Sequence, residues 1–161
     1  MTRTMRLILM VTASMITLAV WSTPGQAQQA YLGGGVGHTF ALNGLDGATN
    51  FAGSIGLETG GPLGFRLEGT ETISVFFLTA NASYTFGSHE SQIRPYLIGG
   101  IGGAFEVLEQ EEFTVTFGAG VFLFLSSHLR MYAEGRVFHL VKSDESRPTI
   151  LPVTAGLQVL F

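Results

Sequence analysis

The chain contains no cysteine and very little charge. Without cysteine it has no disulfide bonds, no thiolate zinc site and no cysteine nucleophile. Only 12% of its residues are charged, about half the roughly 25% of an ordinary soluble domain. A net charge of −4 with a single lysine, Lys142, excludes the basic stripe that nucleic-acid binding requires. Disorder is also excluded, because 46% of the residues are hydrophobic and have apolar surface to bury.

The first 27 residues have the features of a secretory signal peptide. Arg3 and Arg6 precede an apolar run at 7–21, which is shorter than the roughly 20 residues of a membrane-spanning helix. Gly25 and Ala27 are small residues that fit positions −3 and −1 of a cleavage site. An uncleaved membrane anchor is the alternative, and the short run disfavours it. Cleavage after Ala27 removes two of the eight basic residues and none of the twelve acidic ones, which leaves an exported chain of 134 residues with a net charge of −6.

Alternation of apolar and polar residues predicts β-strands in the remainder, residues 28–161. For example, Ile55 and Leu57 fall on one face of a strand and Glu58 falls on the other. No segment after residue 27 shows a sustained helical repeat. Eight segments are predicted as strands: 30–40, 51–59, 63–70, 73–86, 94–107, 113–125, 129–140 and 149–161.

The distribution of charge decides between a soluble barrel and a membrane barrel. The segments 73–86 and 113–125 contain no charged residue, whereas a soluble barrel needs a polar exterior on every strand. Only an exterior that faces lipid tolerates such strands. We therefore predict an all-β fold, an eight-stranded antiparallel up-and-down transmembrane β-barrel formed by residues 28–161.

The last strand carries a second signal. Ala155, Leu157, Val159 and Phe161 alternate with Gly156, Gln158 and Leu160. This pattern resembles the C-terminal strand of bacterial outer-membrane β-barrel proteins, which periplasmic chaperones and the barrel-insertion machinery recognise. Val159 departs from that family, which usually has an aromatic residue there. The resemblance implies that Phe161, Val159, Leu157 and Ala155 form an insertion signal; an ordinary edge strand that ends on phenylalanine is the alternative.

Two internal stretches carry a closer resemblance. Residues 81–87 (Asn-Ala-Ser-Tyr-Thr-Phe-Gly) and 95–102 (Pro-Tyr-Leu-Ile-Gly-Gly-Ile-Gly) resemble strands 4 and 5 of the small OmpA/opacity-like outer-membrane β-barrel domain family. The stretch 117–136 is similar to strands 6 and 7, although Gly135 stands where that family often has an aromatic. The resemblance implies a Gram-negative outer-membrane monomer, no cofactor, and contacts with outer-membrane lipids and lipopolysaccharide. It also implies periplasmic chain ends and four short outward loops, at 41–50, 70–72, 108–112 and 141–148.

Charged residues on the strands are the candidate site. Arg66 and Glu68 share one face of the third strand, and Glu134 and Arg136 share one face of the seventh. The interior of an eight-stranded barrel is only wide enough for side chains to fill it. We therefore expect these four residues, joined by Glu58, to form paired ions in the lumen. A structural plug is the favoured interpretation, and a gate or a proton path is the alternative.

Glycine, aromatic and histidine residues each have a structural interpretation beside a functional one. The clusters 33–37 and 99–103 lack the helix that a phosphate-binding loop must open, so we interpret their glycines as positions of strand curvature. The four histidines lack metal-ligand spacing, so no metal site is expected. Aromatic residues near the predicted strand ends suggest interfacial girdles: Tyr84, Phe86, Tyr96 and Phe161 at the periplasmic side, and Phe40, Phe105, Phe113 and Phe138 at the outer side.

Catalysis has one weak candidate. The region 134–147 faintly resembles outer-membrane lipid A deacylases, in which a serine follows the histidine by two residues and is itself followed by asparagine. Here Val141 and Lys142 follow His139, and the nearest candidates, Ser143 and Glu145, lie in a polar loop. We therefore expect no enzyme activity and no catalytic residue. The prediction is a barrel with a structural or surface-exposed role, and the alternatives are a lipid A-modifying enzyme or a barrel that binds a small ligand or a host surface.

Overall fold

The computed structural model describes residues 29–41, 47–72, 75–88, 90–106, 111–141 and 149–161. The predicted signal peptide, at 1–27, lies outside the described residues. No helix of the described part is long and apolar enough to cross a membrane. The described residues form eight strands: β1 (Gln29–Ala41), β2 (Ala48–Glu58), β3 (Leu63–Thr72), β4 (Val75–Thr85), β5 (Ile93–Glu106), β6 (Glu111–Phe124), β7 (Leu129–Val141) and β8 (Thr149–Leu160).

The eight strands close into a barrel in which each strand is antiparallel to its neighbours. Sequential strands pair with one another, and β1 also pairs with β8. The partners of Tyr31, followed strand by strand round the barrel, lead back to Ala41, ten positions further along β1. Such a stagger tilts the strands against the barrel axis, as closure requires. The predicted fold class is confirmed.

The two ends of the barrel differ. One end, which we call the turn end, carries the connections 59–62, 86–92 and 125–128 together with Gln29 and Phe161. Gly60 and Gly87 have φ values of 74° and 98° there, a left-handed conformation that glycine adopts without steric cost. The other end, which we call the loop end, carries the remaining four connections.

The predicted bounds of all four outward loops are wrong; the first and fourth loops each lose their first residue to a strand, because Ala41 ends β1 and Val141 ends β7. Residues 70–72 belong to β3, where Glu71 pairs with both Phe51 and Phe76. β2 begins at Ala48, and β6 begins at Glu111, so the predicted loops 41–50 and 108–112 are shorter than expected. Polar residues predict loops at these positions, but the strand pairing continues through them. Apart from Gly47, what remains of these loops lies outside the described residues, as do residues 142–148.

The barrel is apolar outside and polar inside. Large apolar side chains point outward along its strands; Leu32, Val36, Phe51, Ile55, Phe117, Leu157 and Val159 are among those that are exposed. Asparagine, threonine, glutamine, arginine and glutamate side chains are buried in the lumen; examples are Asn50, Asn81, Thr114 and Gln158. This distribution is the reverse of that in a soluble sandwich or barrel.

Candidate functional site: the charged lumen

Strand alternation directs four charged side chains into the lumen. Arg66 and Glu68 on β3, and Glu134 and Arg136 on β7, are each at most 4% exposed. Their chain neighbours, such as Phe65 and Val137, point outward because successive residues of a strand face opposite sides. In the closed order of eight strands, β3 and β7 lie on opposite sides of the barrel, so the two pairs face one another across the interior.

The four residues form a ring of alternating charge. Arg66 Nη2 donates to Glu134 Oε2 at 2.5 Å, and Arg66 Nε lies 3.3 Å from Glu68 Oε2. Arg136 Nε lies 2.6 Å from Glu134 Oε1, and Arg136 Nη2 pairs with Glu68 Oε1. Each guanidinium thus contacts both carboxylates, and the formal charges cancel. We call Arg66, Glu68, Glu134 and Arg136 the four-residue ring.

Uncharged donors hold the carboxylates of the four-residue ring in place. Tyr96 donates its hydroxyl hydrogen to Glu134 Oε2 at 2.6 Å, and Thr70 Oγ1 donates to Glu68 Oε1 at 3.1 Å. A buried charge is costly unless it is both paired and hydrogen bonded. All four ions are paired and both carboxylates accept hydrogen bonds, whereas the contact between Arg66 Nε and Glu68 Oε2 is an ion pair without a hydrogen bond.

Glu58 lies outside the four-residue ring, in a second cluster nearer the turn end. Its Oε1 accepts from Arg130 Nη2 at 2.7 Å, and Arg130 Nε donates to Gln158 Oε1 at 2.6 Å. The Arg130 guanidinium also lies 3.8 Å from the centroid of the Phe122 ring, a cation–π contact. Sequence analysis missed Arg130, although it shares the inward face of β7 with Glu134 and the same alternation would have identified it.

Two aromatic residues predicted for the interfacial girdles point inward instead. Tyr96 is 1% exposed and stacks on Phe122 with the ring centroids 4.1 Å apart. Phe138 is fully buried and packs edge-on against Phe77 at 4.9 Å. The girdle prediction for both residues is wrong, because it used their position along the strand and ignored which face they occupy. Tyr84 is exposed, as that prediction expected.

The lumen is closed on both sides of the four-residue ring by apolar clusters. Towards the turn end, Tyr132 packs with Tyr96 and Phe122, and towards the loop end Phe138 packs with Phe77. Along β7 the order is Tyr132, Glu134, Arg136 and Phe138, so the charged layer lies between the two clusters. A packed interior of this kind fills the barrel and leaves no wide channel.

Interior glycines make room for the lumen tyrosines. A Cβ at Gly120 would come within 2.6 Å of Tyr96 Cζ, and a Cβ at Gly156 within 2.7 Å of Tyr132 Cε1. Real Cβ atoms do not approach other atoms so closely. These glycines therefore allow a narrow barrel to hold large rings.

The described residues bring together neither a metal site nor the predicted enzyme alternative's residues. No group of three or more His, Asp or Glu side chains there could hold a metal ion. His139 points outward, and its Nδ1 lies 3.4 Å from Thr149 Oγ1. Val141, at the position of the deacylase serine, is exposed on the same outward face. His89, Ser143 and Glu145 lie outside the described residues.

The predicted insertion signal lies on the outward face of the barrel. Leu157 and Val159 are 49% and 44% exposed, and Phe161, which follows β8, is 71% exposed. Ala155 is exposed on the same face. Ala155 pairs with Val36 of β1, where the first and last strands meet and close the barrel. All four side chains are therefore accessible from outside the barrel.

Solved structures of small outer-membrane barrels match this fold. Neisserial surface protein A (NspA) superposes with a TM-score of 0.69 over 83% of this chain and 97% of its own, at 16% identity. The N-terminal β-barrel domain of Pseudomonas aeruginosa OprF gives 0.66 over 86% and 100%, at 17% identity. Ail, the attachment invasion locus protein of Yersinia pestis, gives 0.55 over 84% and 99%, at 12% identity.

These similarities concern the fold. At identities below one fifth, a shared barrel does not carry over a partner or an activity. No family model matches the chain, and no curated protein does. The fold of this chain is thus that of small transmembrane barrels, and its role must be argued from its own residues.

Proposed function

We propose that this chain is an integral outer-membrane β-barrel protein with a structural or surface-exposed role and no enzymatic activity. The observation that carries the proposal is the reversed polarity of the barrel, with charged residues inside and large apolar residues outside. Fully burying one large apolar side chain is worth about 1.5–3 kcal/mol. A barrel that exposes so many of them is stable where lipid covers them.

The closed sheet also supports a location in the membrane. Lipid supplies no hydrogen-bond partners to backbone N–H and C=O groups, so a spanning β-structure must pair all of its strands. The pairing of β1 with β8 leaves no open edge. The match to barrels from NspA, OprF and Ail supports the proposal at the level of the fold.

The lumen supports a plug rather than a gate or proton path. Each ion of the four-residue ring has at least two charged partners, and apolar clusters separate the ring from both barrel ends. The proposal thus gives Arg66, Glu68, Glu134 and Arg136 a structural role, with Glu58 and Arg130 as a second, smaller part of the plug.

The chain would reach the outer membrane by export followed by insertion. Residues 1–27 would direct export and be cleaved, and the turn end would face the periplasm. Periplasmic chaperones and the insertion machinery would bind Ala155, Leu157, Val159 and Phe161 on β8. The folded barrel would then act as a monomer surrounded by outer-membrane lipids and lipopolysaccharide.

Cell fractionation combined with heat-shift electrophoresis tests this location. We expect the protein in the outer-membrane fraction, with the unheated sample migrating faster than the boiled one because the barrel stays folded in detergent. A soluble periplasmic pool that shows no heat shift would contradict the proposal. The same purified, refolded protein can be incubated with lipopolysaccharide, and release of a fatty acid would restore the lipid A-modifying alternative that Val141 disfavours.

A further inference from the structure

A cavity of about 620 Å³ lies at the turn end of the barrel. Small-molecule sites typically measure about 300–1,000 Å³, so this volume admits a ligand of ordinary metabolite size. Glu58, Arg94 and Arg130 supply charged groups to its wall, and Phe124 and Leu160 supply apolar ones. The plug cluster of Glu58 and Arg130 therefore forms the floor of a site that is open at one side.

The two arginines of the cavity are held by aromatic rings. The Arg94 guanidinium lies 3.9 Å from the centroid of the Phe124 ring, and the Arg130 guanidinium lies 5.6 Å from the same centroid. Arg130 also contacts Phe122, which stacks on Tyr96 deeper in the lumen. Such stacking fixes both cations before a ligand arrives, and preorganisation lowers the cost of binding.

The charge of the cavity is opposite to that of the whole chain. Two guanidiniums and one carboxylate give it a formal charge of +1, whereas the chain has a net charge of −4. Thr85 also lines the cavity, and its buried Oγ1 makes no hydrogen bond to another described residue. The positive charge of the cavity wall therefore favours an anion.

We propose that this cavity binds a small organic anion, with a carboxylate or phosphate attached to one apolar group. Arg94 and Arg130 bind the anionic group, and Phe124 and Leu160 contact the apolar part. Glu58 keeps Arg130 in place and limits the affinity, because its carboxylate repels the ligand.

Ligand titration of the refolded barrel tests the site. The protein is placed in uncharged maltoside micelles, and the backbone amide NMR signals of Gly60, Gly61 and Gly87 are followed. We expect saturable shifts with N-acetylphenylalanine or phenyl phosphate, and about tenfold weaker binding of the neutral N-acetylphenylalaninamide, which lacks the charged hydrogen-bond acceptor. The tighter of the two anions identifies the preferred anionic group. Equal binding of the neutral amide would overturn the proposal.

Three variants test which charged residues contribute to anion binding. Arg94→Gln should weaken anion binding about tenfold, since it removes one charged donor. Glu58→Gln should tighten it, because the repelling charge is lost while a hydrogen-bond acceptor for Arg130 remains. Lys142→Gln is the matched control, since it removes one positive charge just after β7, which ends at the loop end.

Arg94→Gln and Glu58→Gln should change the affinity for the anion in opposite directions, which makes the test decisive. Equal effects of Arg94→Gln and Lys142→Gln would overturn the site, as would weaker binding to Glu58→Gln than to the parent. If Arg94→Gln does not refold, the comparison of Glu58→Gln with Lys142→Gln gives the same decision. Because binding is measured on refolded protein, a negative result here leaves the proposed membrane location untouched, and the reverse also holds.

Discussion

Glu134 is the residue on which the lumen contacts converge. Its two carboxylate oxygens accept from Arg66, Arg136 and Tyr96, and none of these groups is more than 4% exposed. Removing its charge leaves two buried guanidiniums near one carboxylate, where bulk solvent screens them little. Breaking a buried ion pair in this way costs more than the intact pair contributes.

Replacing Glu134 with glutamine should lower the free energy of unfolding by about 3–5 kcal/mol, the usual cost of an uncompensated buried charge. Urea unfolding of the barrel refolded into lipid vesicles measures it. Glu71→Gln is the matched control, because Glu71 is exposed on β3 and such changes stay within about 0.5 kcal/mol. Equal unfolding midpoints for the two variants would show that the ring contributes no stability.

Gly120 gives a second test of how tightly the lumen is packed. A Cβ there would meet Tyr96 Cζ at 2.6 Å and the backbone oxygen of Ala133 at 2.7 Å. Tyr96 cannot move aside without losing its hydrogen bond to Glu134 and its stacking on Phe122.

We expect Gly120→Ala to destabilise the barrel by about 1–3 kcal/mol, the cost of overpacking a filled core. A Cβ at Gly53 meets no atom within 4 Å, so Gly53→Ala should be neutral or slightly stabilising through the unfolded chain. The same urea titration compares the two alanine variants. A neutral Gly120→Ala would mean that the lumen is more loosely filled than its contacts indicate.

At the scale of the strand, the alternation of apolar and polar residues predicts the number of strands and the direction of their side chains. It does not predict where each strand ends. Eight strands follow from a period of two, and the inward placement of Arg66 and Glu134 follows from the same period. Which carboxylate meets which guanidinium depends on the ten-residue stagger of the closed sheet, which no local pattern encodes. The pairing of Glu58 with Arg130 therefore does not follow from the sequence. The continuation of β3 through Glu71 does not follow either, because polar residues at a strand end resemble a loop.

Val36 tests whether the outward face of the strands meets lipid. It lies in the middle of β1, is 53% exposed, and pairs with Phe51 and Ala155 on the neighbouring strands. Val36→Arg should cost about 2–4 kcal/mol if it lies near the bilayer midplane. Unfolding in lipid vesicles is compared with that of Ser127→Arg, an exposed turn residue that should change little. A neutral Val36→Arg would place the face in water.

Phe161 tests the insertion signal on β8. Phe161→Ala should lower the heat-shifted, assembled fraction in cells severalfold, while the protein refolded in detergent keeps its unfolding midpoint. Phe86→Ala is the matched control, since Phe86 is an exposed aromatic residue at the same end of the barrel. If both variants assemble equally well, Phe161 contributes only as an interfacial aromatic side chain.

For the whole molecule, the filled lumen predicts that the barrel does not conduct ions across the membrane. The four-residue ring and the clusters around Phe122 and Phe138 occupy the interior in successive layers. We expect no large discrete current steps when the refolded protein is added to a planar lipid bilayer. Large steps would contradict the plug and favour an open channel.

The seam between β1 and β8 has a consequence for how the chain reaches this state. Tyr31 pairs with Leu160, 129 positions later in the sequence, so the last ladder forms only when both end strands are present. Until then each end strand presents an unpaired row of backbone groups, and such rows join readily to other chains. Contacts between such distant residues also form slowly. The feature that leaves the finished barrel without an edge thus makes every partly assembled chain prone to aggregation and dependent on shielding until closure.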